Sequence, residues 1–122
     1  MTESDYCELV REYYRRLDGG DVDWVMDLFT DDAVYSRAGV IYEGIEAIGS
    51  FFREARTIVG THTPHWMTQD GQVVVAEGTF EGRGAQGAPK LVDFCDVWRF
   101  NEDGRAVRRN AYLAAGGAAV TE

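Results

Sequence analysis

Val92-Asp93-Phe94-Cys95-Asp96-Val97-Trp98-Arg99-Phe100 (residues 92–100) reads as a β-strand with a carboxylate in the wrong place. Successive side chains of a strand point to opposite faces. One face therefore carries Val92, Phe94, Trp98 and Phe100, and Asp96 interrupts that apolar row. A buried carboxylate has to be paired, hydrogen-bonded or neutralised. Asp96 is thus a candidate functional residue, although a structural ion pair leaves the same trace. Asn101-Glu102-Asp103-Gly104 is a turn, and Arg105–Ala115 is the returning strand. A four-residue turn sets Phe100 against Arg105, Trp98 against Val107, Asp96 against Arg109 and Phe94 against Ala111. A two-residue turn at Asp103-Gly104 moves the pairing by two and keeps the faces. Either way Val107, Arg109, Ala111 and Leu113 share the face of Asp96, and Arg109 lands beside it.

The rest of the chain divides into helices first and hairpins later. Residues 5–18 repeat with a helical period, placing Tyr6, Leu9, Val10, Tyr13 and Leu17 on one face. Asp18-Gly19-Gly20-Asp21 ends this helix and caps a short second one marked by Val22, Val25, Met26 and Phe29. Ala33–Arg37 is a short strand, Ala38-Gly39 a loop, and Ile45, Ile48, Phe51, Phe52 and Ala55 are the stripe of a third helix. From about residue 62 the period becomes two. Thr61–Gln69 and Gln72–Gly82 are strands joined at Asp70-Gly71, and Gly84–Pro89 is a flexible loop before Lys90–Phe100. The tail Gly116–Glu122 is expected to fray. This order predicts an α+β fold in which helices cover one face of a curved antiparallel sheet. No internal repeat or second core is visible, so residues 1–122 are expected to form one domain.

Composition narrows the partners. The net charge is −9, with 21 acidic residues against 12 basic ones. That balance argues against nucleic acid and against an anionic membrane surface. No run of apolar residues reaches membrane-spanning length. Met1-Thr2-Glu3-Ser4-Asp5 has no basic or apolar leader character, so a cytoplasmic setting with Cys7 and Cys95 reduced is expected. No zinc-type cysteine–histidine spacing occurs.

Several segments together resemble a known family. The runs V-R-E-Y-Y-R-R-L-D-G-G-D-V-D-W-V-M-D-L-F-T-D-D-A-V-Y (10–35), Y-E-G-I-E-A-I-G-S-F-F (42–52) and D-V-W-R-F-N-E-D-G-R-A-V (96–107) are similar to ketosteroid isomerases. They also resemble the wider NTF2-like (nuclear transport factor 2-like) superfamily, with its SnoaL-like polyketide cyclases and epoxide-hydrolase-like enzymes. The resemblance implies a cone, a cystatin-like α+β barrel in which the curved sheet wraps a long N-terminal helix around a pocket. It also implies a cofactor-independent isomerase or cyclase, a homodimer through the outer sheet face, and a place in antibiotic or related natural-product synthesis.

Roles transfer residue by residue. Tyr13 stands where the isomerases place a tyrosine that donates to an enolate oxygen, and Asp96 where they place a protonated aspartic acid. Donors fixed in a dry cavity stabilise a developing oxyanion. The isomerases' first-strand aspartate base is replaced here by Arg37, which cannot abstract a proton near neutral pH. The Asp-Arg-Asp arrangement of the epoxide hydrolases is also incomplete, since Ala111-Tyr112-Leu113-Ala114 holds no aspartate.

The expected catalytic residues are Asp96 and Tyr13. The expected substrate contacts are Tyr35, Arg37, Trp98, Arg109 and His65, with Val92 and Phe94 as walls. His62 and His65 begin a strand, and alternation sends one of them inward; rim positions for both are the plainer alternative. An arginine beside Asp96 favours its ionised form, which suits a general base or acid better than a donor. The expected ligand is small, hydrophobic, and bears a carbonyl or carboxylate. Eleven of the 12 basic residues are arginine, as in GC-rich bacterial genomes. A non-catalytic binding module, with Asp96–Arg109 as a structural pair, is the competing reading, and epoxide ring opening or closure is a further one.

Overall fold

The computed structural model describes residues 5–55, 59–83, 87 and 89–114, with the side chains of 54, 55 and 90 left aside. The expected loop Gly84–Pro89 falls outside these residues at 84–86 and 88, and the expected tail Gly116–Glu122 falls wholly outside them, as does residue 115. The elements are α1 (Tyr6–Asp18), α2 (Val22–Leu28), β1 (Phe29–Arg37), β2 (Val40–Glu43), α3 (Ile45–Ser50), β3 (Val59–Asp70), β4 (Val73–Arg83), β5 (Pro89–Phe100) and β6 (Ala106–Leu113). A π-helical turn, Phe51–Ala55, continues α3. The fold is α+β, as the order of periods predicts. No described helix is long and apolar enough to cross a membrane.

Helix α1 starts where the Asp5 side chain accepts from the Glu8 N–H at 3.1 Å, satisfying an otherwise orphaned donor. Its buried stripe is Tyr6, Val10, Tyr13, Tyr14 and Leu17. Leu9, expected inside, is only partly buried, and Tyr14 takes its place. Asp21 caps α2 by accepting from the Trp24 N–H at 3.2 Å. Helix α3 is shorter than its stripe suggests. The π-helical turn takes over at Phe51, and Phe51 and Phe52 are both buried although adjacent.

The described strands form one sheet in the order β2-β1-β6-β5-β4-β3. All neighbours are antiparallel except β1 and β6, which run parallel with Tyr35 opposite Arg109 and Arg37 opposite Ala111. The sheet is therefore mixed rather than wholly antiparallel. That pairing joins the first strand to the last and brings Tyr35 and Arg37 beside the strand of Arg109. Strand β2 escapes the sequence pattern because its four residues are largely exposed and do not alternate. It folds back on β1 through Ala38 and Gly39, whose φ values of 50° and 81° fit a two-residue hairpin turn.

The β5–β6 register is that of the two-residue turn: Trp98 lies opposite Arg109, Asp96 opposite Ala111 and Phe94 opposite Leu113. A bulge skips Val107, so Phe100 faces Ala106. Ala106 rather than Val107 is therefore buried. A second bulge falls between Pro64 and Trp66 and leaves His65 unpaired on β3. Along β4, Val74, Ala76, Gly78 and Phe80 face inward, which turns Glu77 outward.

Gly78 sits where β3, β4 and β5 crowd together. A Cβ there would stand 2.3 Å from the Thr63 carbonyl oxygen, 2.8 Å from Pro64 Cα and 2.9 Å from the Phe94 ring. Two of these neighbours are backbone and cannot yield without moving a strand. Gly78→Ala is expected to cost about 1–3 kcal/mol, the usual range for overpacking, read as a lower urea midpoint at unchanged slope.

Candidate active site

Asp96 is wholly buried on β5, with Phe94, Trp98 and Phe100 on the same face. Arg109 Nη2 donates to Asp96 Oδ2 at 2.7 Å. The Tyr14 hydroxyl donates to the same oxygen at 2.6 Å. Asp96 Oδ1 has no hydrogen-bond partner among the described residues. Both donors hold one oxygen, so the carboxyl is fixed in rotation.

Arg109 is anchored on several sides. Its Nη1 donates to the Tyr13 hydroxyl, and its guanidinium carbon lies 4.8 Å from the Tyr13 and Tyr35 ring centres and 4.9 Å from that of Trp98. Burial would lower its pKa, but Asp96 and the surrounding tyrosines outweigh that and hold it well above the ordinary value. Arg109 is a permanent cation. Burial, reinforced by the Asp96 charge, lifts the Tyr14 phenol well above its ordinary 10.0. Tyr14 therefore stays protonated and donates.

The space beside this cluster amounts to ≈ 450 Å³ including its open mouth. Its charged and polar lining is Tyr35, Arg37, His62, Asp96 and Arg109, and its walls include Leu17, Phe52, Phe80, Val92 and Phe94. The fold thus brings Tyr35, Arg37, Asp96 and Arg109 together around one cavity, with Val92 and Phe94 as walls.

Three other assignments change. Tyr13 is fully buried and accepts from Arg109 behind the lining; Tyr14 is the tyrosine that reaches Asp96. The two are adjacent on α1 and point about 100° apart, so one residue decides which of them meets β5. Trp98 is also fully buried. It supports Arg109 from below rather than touching the cavity. His65 is displaced by its bulge to the outer side, where its Nε2 lies 3.0 Å from Thr79 Oγ1.

His62 is the inward histidine. Asp18, at the end of α1, accepts from the His62 backbone N–H at 2.7 Å, and its other oxygen lies 2.6 Å from Nδ1. A carboxylate only accepts, so Nδ1 carries the proton toward Asp18. The ring stacks on Tyr14 at 5.2 Å between centroids and packs against Phe80 and Phe94. Helix α1 thereby holds two cavity-lining side chains, His62 through Asp18 and Asp96 through Tyr14. In the sequence, Asp18 reads only as part of a helix-ending turn, and nothing local ties it to residue 62.

Arg37 ends β1, buried at 9% exposure, with its guanidinium 5.4 Å from the Phe51 ring centre. Among the described residues no group of three or more His, Cys, Asp or Glu side chains is arranged to hold a metal. Cys7 and Cys95 are free thiols. Burial pushes both up in pKa, with help from neighbouring acids, so neither is an activated nucleophile.

No curated protein matches the sequence. Among solved structures, a Pseudomonas putida KT2440 protein assigned as a polyketide cyclase superposes with a TM-score of 0.84 at 18% identity, over 97% of this chain and 98% of that one. SalBIII, an epoxide hydrolase/cyclase-like enzyme of pyran ring formation in the polyether salinomycin, gives 0.80 at 21% identity over 92% of each chain. An LEH-like epoxide hydrolase of M. tuberculosis gives 0.79 at 21% identity, over 92% of this chain and 84% of that one. At these identities the likeness establishes the fold, which is NTF2-like. The family model of the SnoaL-like domain matches residues 10–109. The chain belongs to the SnoaL-like domain family.

Proposed function

We propose that the protein is a cofactor-independent enzyme that cyclises or isomerises a polyketide-type carbonyl compound by acid–base chemistry in this cavity. The observation that carries the reading is Asp96 Oδ1: a buried oxygen of a cavity-lining carboxylate, without a partner among the described residues, on a group clamped through its other oxygen. A fixed base in a desolvated site removes a proton from a carbon next to a carbonyl. The C–H bond breaks, its electron pair moves to the carbonyl oxygen as an enolate, and the proton goes to Oδ1. The enolate carbon can then be reprotonated elsewhere, which is isomerisation, or attack a second carbonyl, which is ring closure. His62, oriented by Asp18, supplies or receives the second proton through Nε2. Family membership and the names of the structural neighbours support the polyketide class.

The replacement of the isomerases' base by Arg37 moves the base role in this chain to Asp96. Ring opening of an epoxide has less support, because β6 offers Ala111 and Leu113 to the cavity where a second carboxylate would be needed. The Asp96–Arg109 pair favours one other reading, a non-catalytic binder, since it balances its own charge. We place the protein as a homodimer through the outer sheet face, where Trp66, Leu91 and Tyr112 are more than half exposed. The free thiols fit a reducing compartment.

A probe for the chemistry is 4-oxo-4-phenylbutanoate, whose methylene beside the ketone takes up deuterium from D2O on enolisation. Catalysed uptake that is lost in Asp96→Asn supports the base role; uptake that survives undiminished overturns it. His62→Gln is expected to lower the exchange kcat on the order of 10²-fold, with KM little changed. Asp18→Asn should reproduce part of that loss, and the double variant should fall no further than His62→Gln alone, because the two side chains act as a unit. Additive losses would separate Asp18 from the chemistry.

A further inference from the structure

We propose that Arg37 is a carboxylate-recognition residue and that the cavity selects singly charged anionic substrates. The placement of the substrate's reacting carbon at Asp96 rests on the function proposed above; the recognition of the anion does not.

Charge accounting across the cavity leads to this assignment. Arg109 is matched by Asp96, and His62 by Asp18. Arg37 lines the same cavity, and among the described residues no hydrogen bond or ion pair reaches it. Its guanidinium carbon lies 5.4 Å from the Phe51 ring centre. A largely buried cation without a counter-ion is costly.

The rest of the chain makes the omission informative. Acidic residues outnumber basic ones 21 to 12. Exposed Arg11, Arg15, Arg16 and Arg53 find carboxylates, in pairs worth little at a surface; Arg83, Arg99, Arg105 and Arg108 have none among the described residues, but they are exposed or half-buried and water solvates them. At the largely buried Arg37, where a partner would matter more, none is supplied among the described residues. Tyr35, Phe52, Ala111 and Leu113 line the cavity alongside Arg37 and bring no charge. The missing counter-charge is therefore assigned to the ligand.

The chemistry of the site selects the anion. A planar guanidinium fork fits a carboxylate through two parallel N–H···O bonds. One cation, with the Asp96 carboxylate on the same cavity, suits a single negative charge better than a phosphate dianion. The substrate then lies with its carboxylate on Arg37 and its enolisable carbon at Asp96 Oδ1, against apolar walls.

The test compares 4-oxo-4-phenylbutanoate with its primary amide, which has nearly the same shape and no charge. Dissociation constants are measured by calorimetry or NMR on the wild type, Arg37→Gln and Arg37→Lys, each shown to be folded by circular dichroism. The wild type is expected to bind the acid about 10- to 100-fold more tightly than the amide, the worth of a charge-assisted pair. That preference should disappear in Arg37→Gln and return in part in Arg37→Lys. Equal binding of acid and amide by the wild type, a preference that persists in Arg37→Gln, or no binding of the acid at millimolar concentration overturns the proposal. Acid-selective, Arg37-dependent binding without deuterium uptake leaves the recognition role standing and removes the base role of Asp96, so the two failures are distinct.

Discussion

Arg109→Met is expected to cost about 3–5 kcal/mol of folding stability, read as a large fall in the urea midpoint. The cost does not come mainly from the lost attraction. It comes from leaving Asp96, with no exposure to water, beside a single remaining donor, Tyr14. The Tyr13 hydroxyl loses its donor as well, and three aromatic rings lose the cation packed among them. Methionine fills much of the volume, so the effect reports charge rather than a cavity. The double variant Asp96→Asn/Arg109→Met separates the two explanations. Removing both charges removes the buried orphan, and the double variant should be more stable than Arg109→Met alone. If Arg109→Met loses under about 1 kcal/mol, water reaches the pair and the site is not the desolvated one described.

What the sequence conveys depends on the range of the signal. Asp96 is legible because a period of two is local, and one carboxylate in an apolar row is visible without any partner. Arg109 is legible because a hairpin is nearly local: a polar turn limits the register to two choices, and both keep the faces. The bulge at Val107 is invisible in the pattern, yet it leaves Arg109 on the inner side. The bulge at His65 has the opposite effect. Straight alternation cannot be counted across it, so His62 and His65 cannot be sorted.

Tyr13 and Tyr14 fail for a related reason. A helix stripe gives the buried face of α1, while the rotation that puts one tyrosine on Asp96 and the other on Arg109 is set by packing on the sheet. Asp18–His62 and the parallel β1–β6 pairing join residues distant in sequence, and no short-range pattern encodes them. The cavity's anionic selectivity lies between these cases. Arg37 is plain in the sequence, but its lack of a partner is a property of the folded wall.

Asp96→Asn is expected to reduce enolisation on the order of 10²–10⁴-fold, the usual contribution of a positioned acid or base. The substitution keeps the shape, and the amide oxygen can still accept from Arg109 and Tyr14 at the position of Oδ2. The amide nitrogen then takes the place of Oδ1 and has no basic lone pair. Stability also falls, because Arg109 keeps its charge without a counter-ion. A drop in rate alone therefore does not discriminate, and folded protein has to be confirmed at the assay temperature. Binding does discriminate. Removing a negative group from a wall that also holds Arg37 should leave the affinity for 4-oxo-4-phenylbutanoate unchanged or increase it, while exchange collapses. A partly unfolded variant would lose both together. A non-catalytic binder would show the change in affinity but no wild-type exchange to lose. Weaker binding with exchange intact would reverse the assignment, making Asp96 a ligand contact and passing the base role to His62.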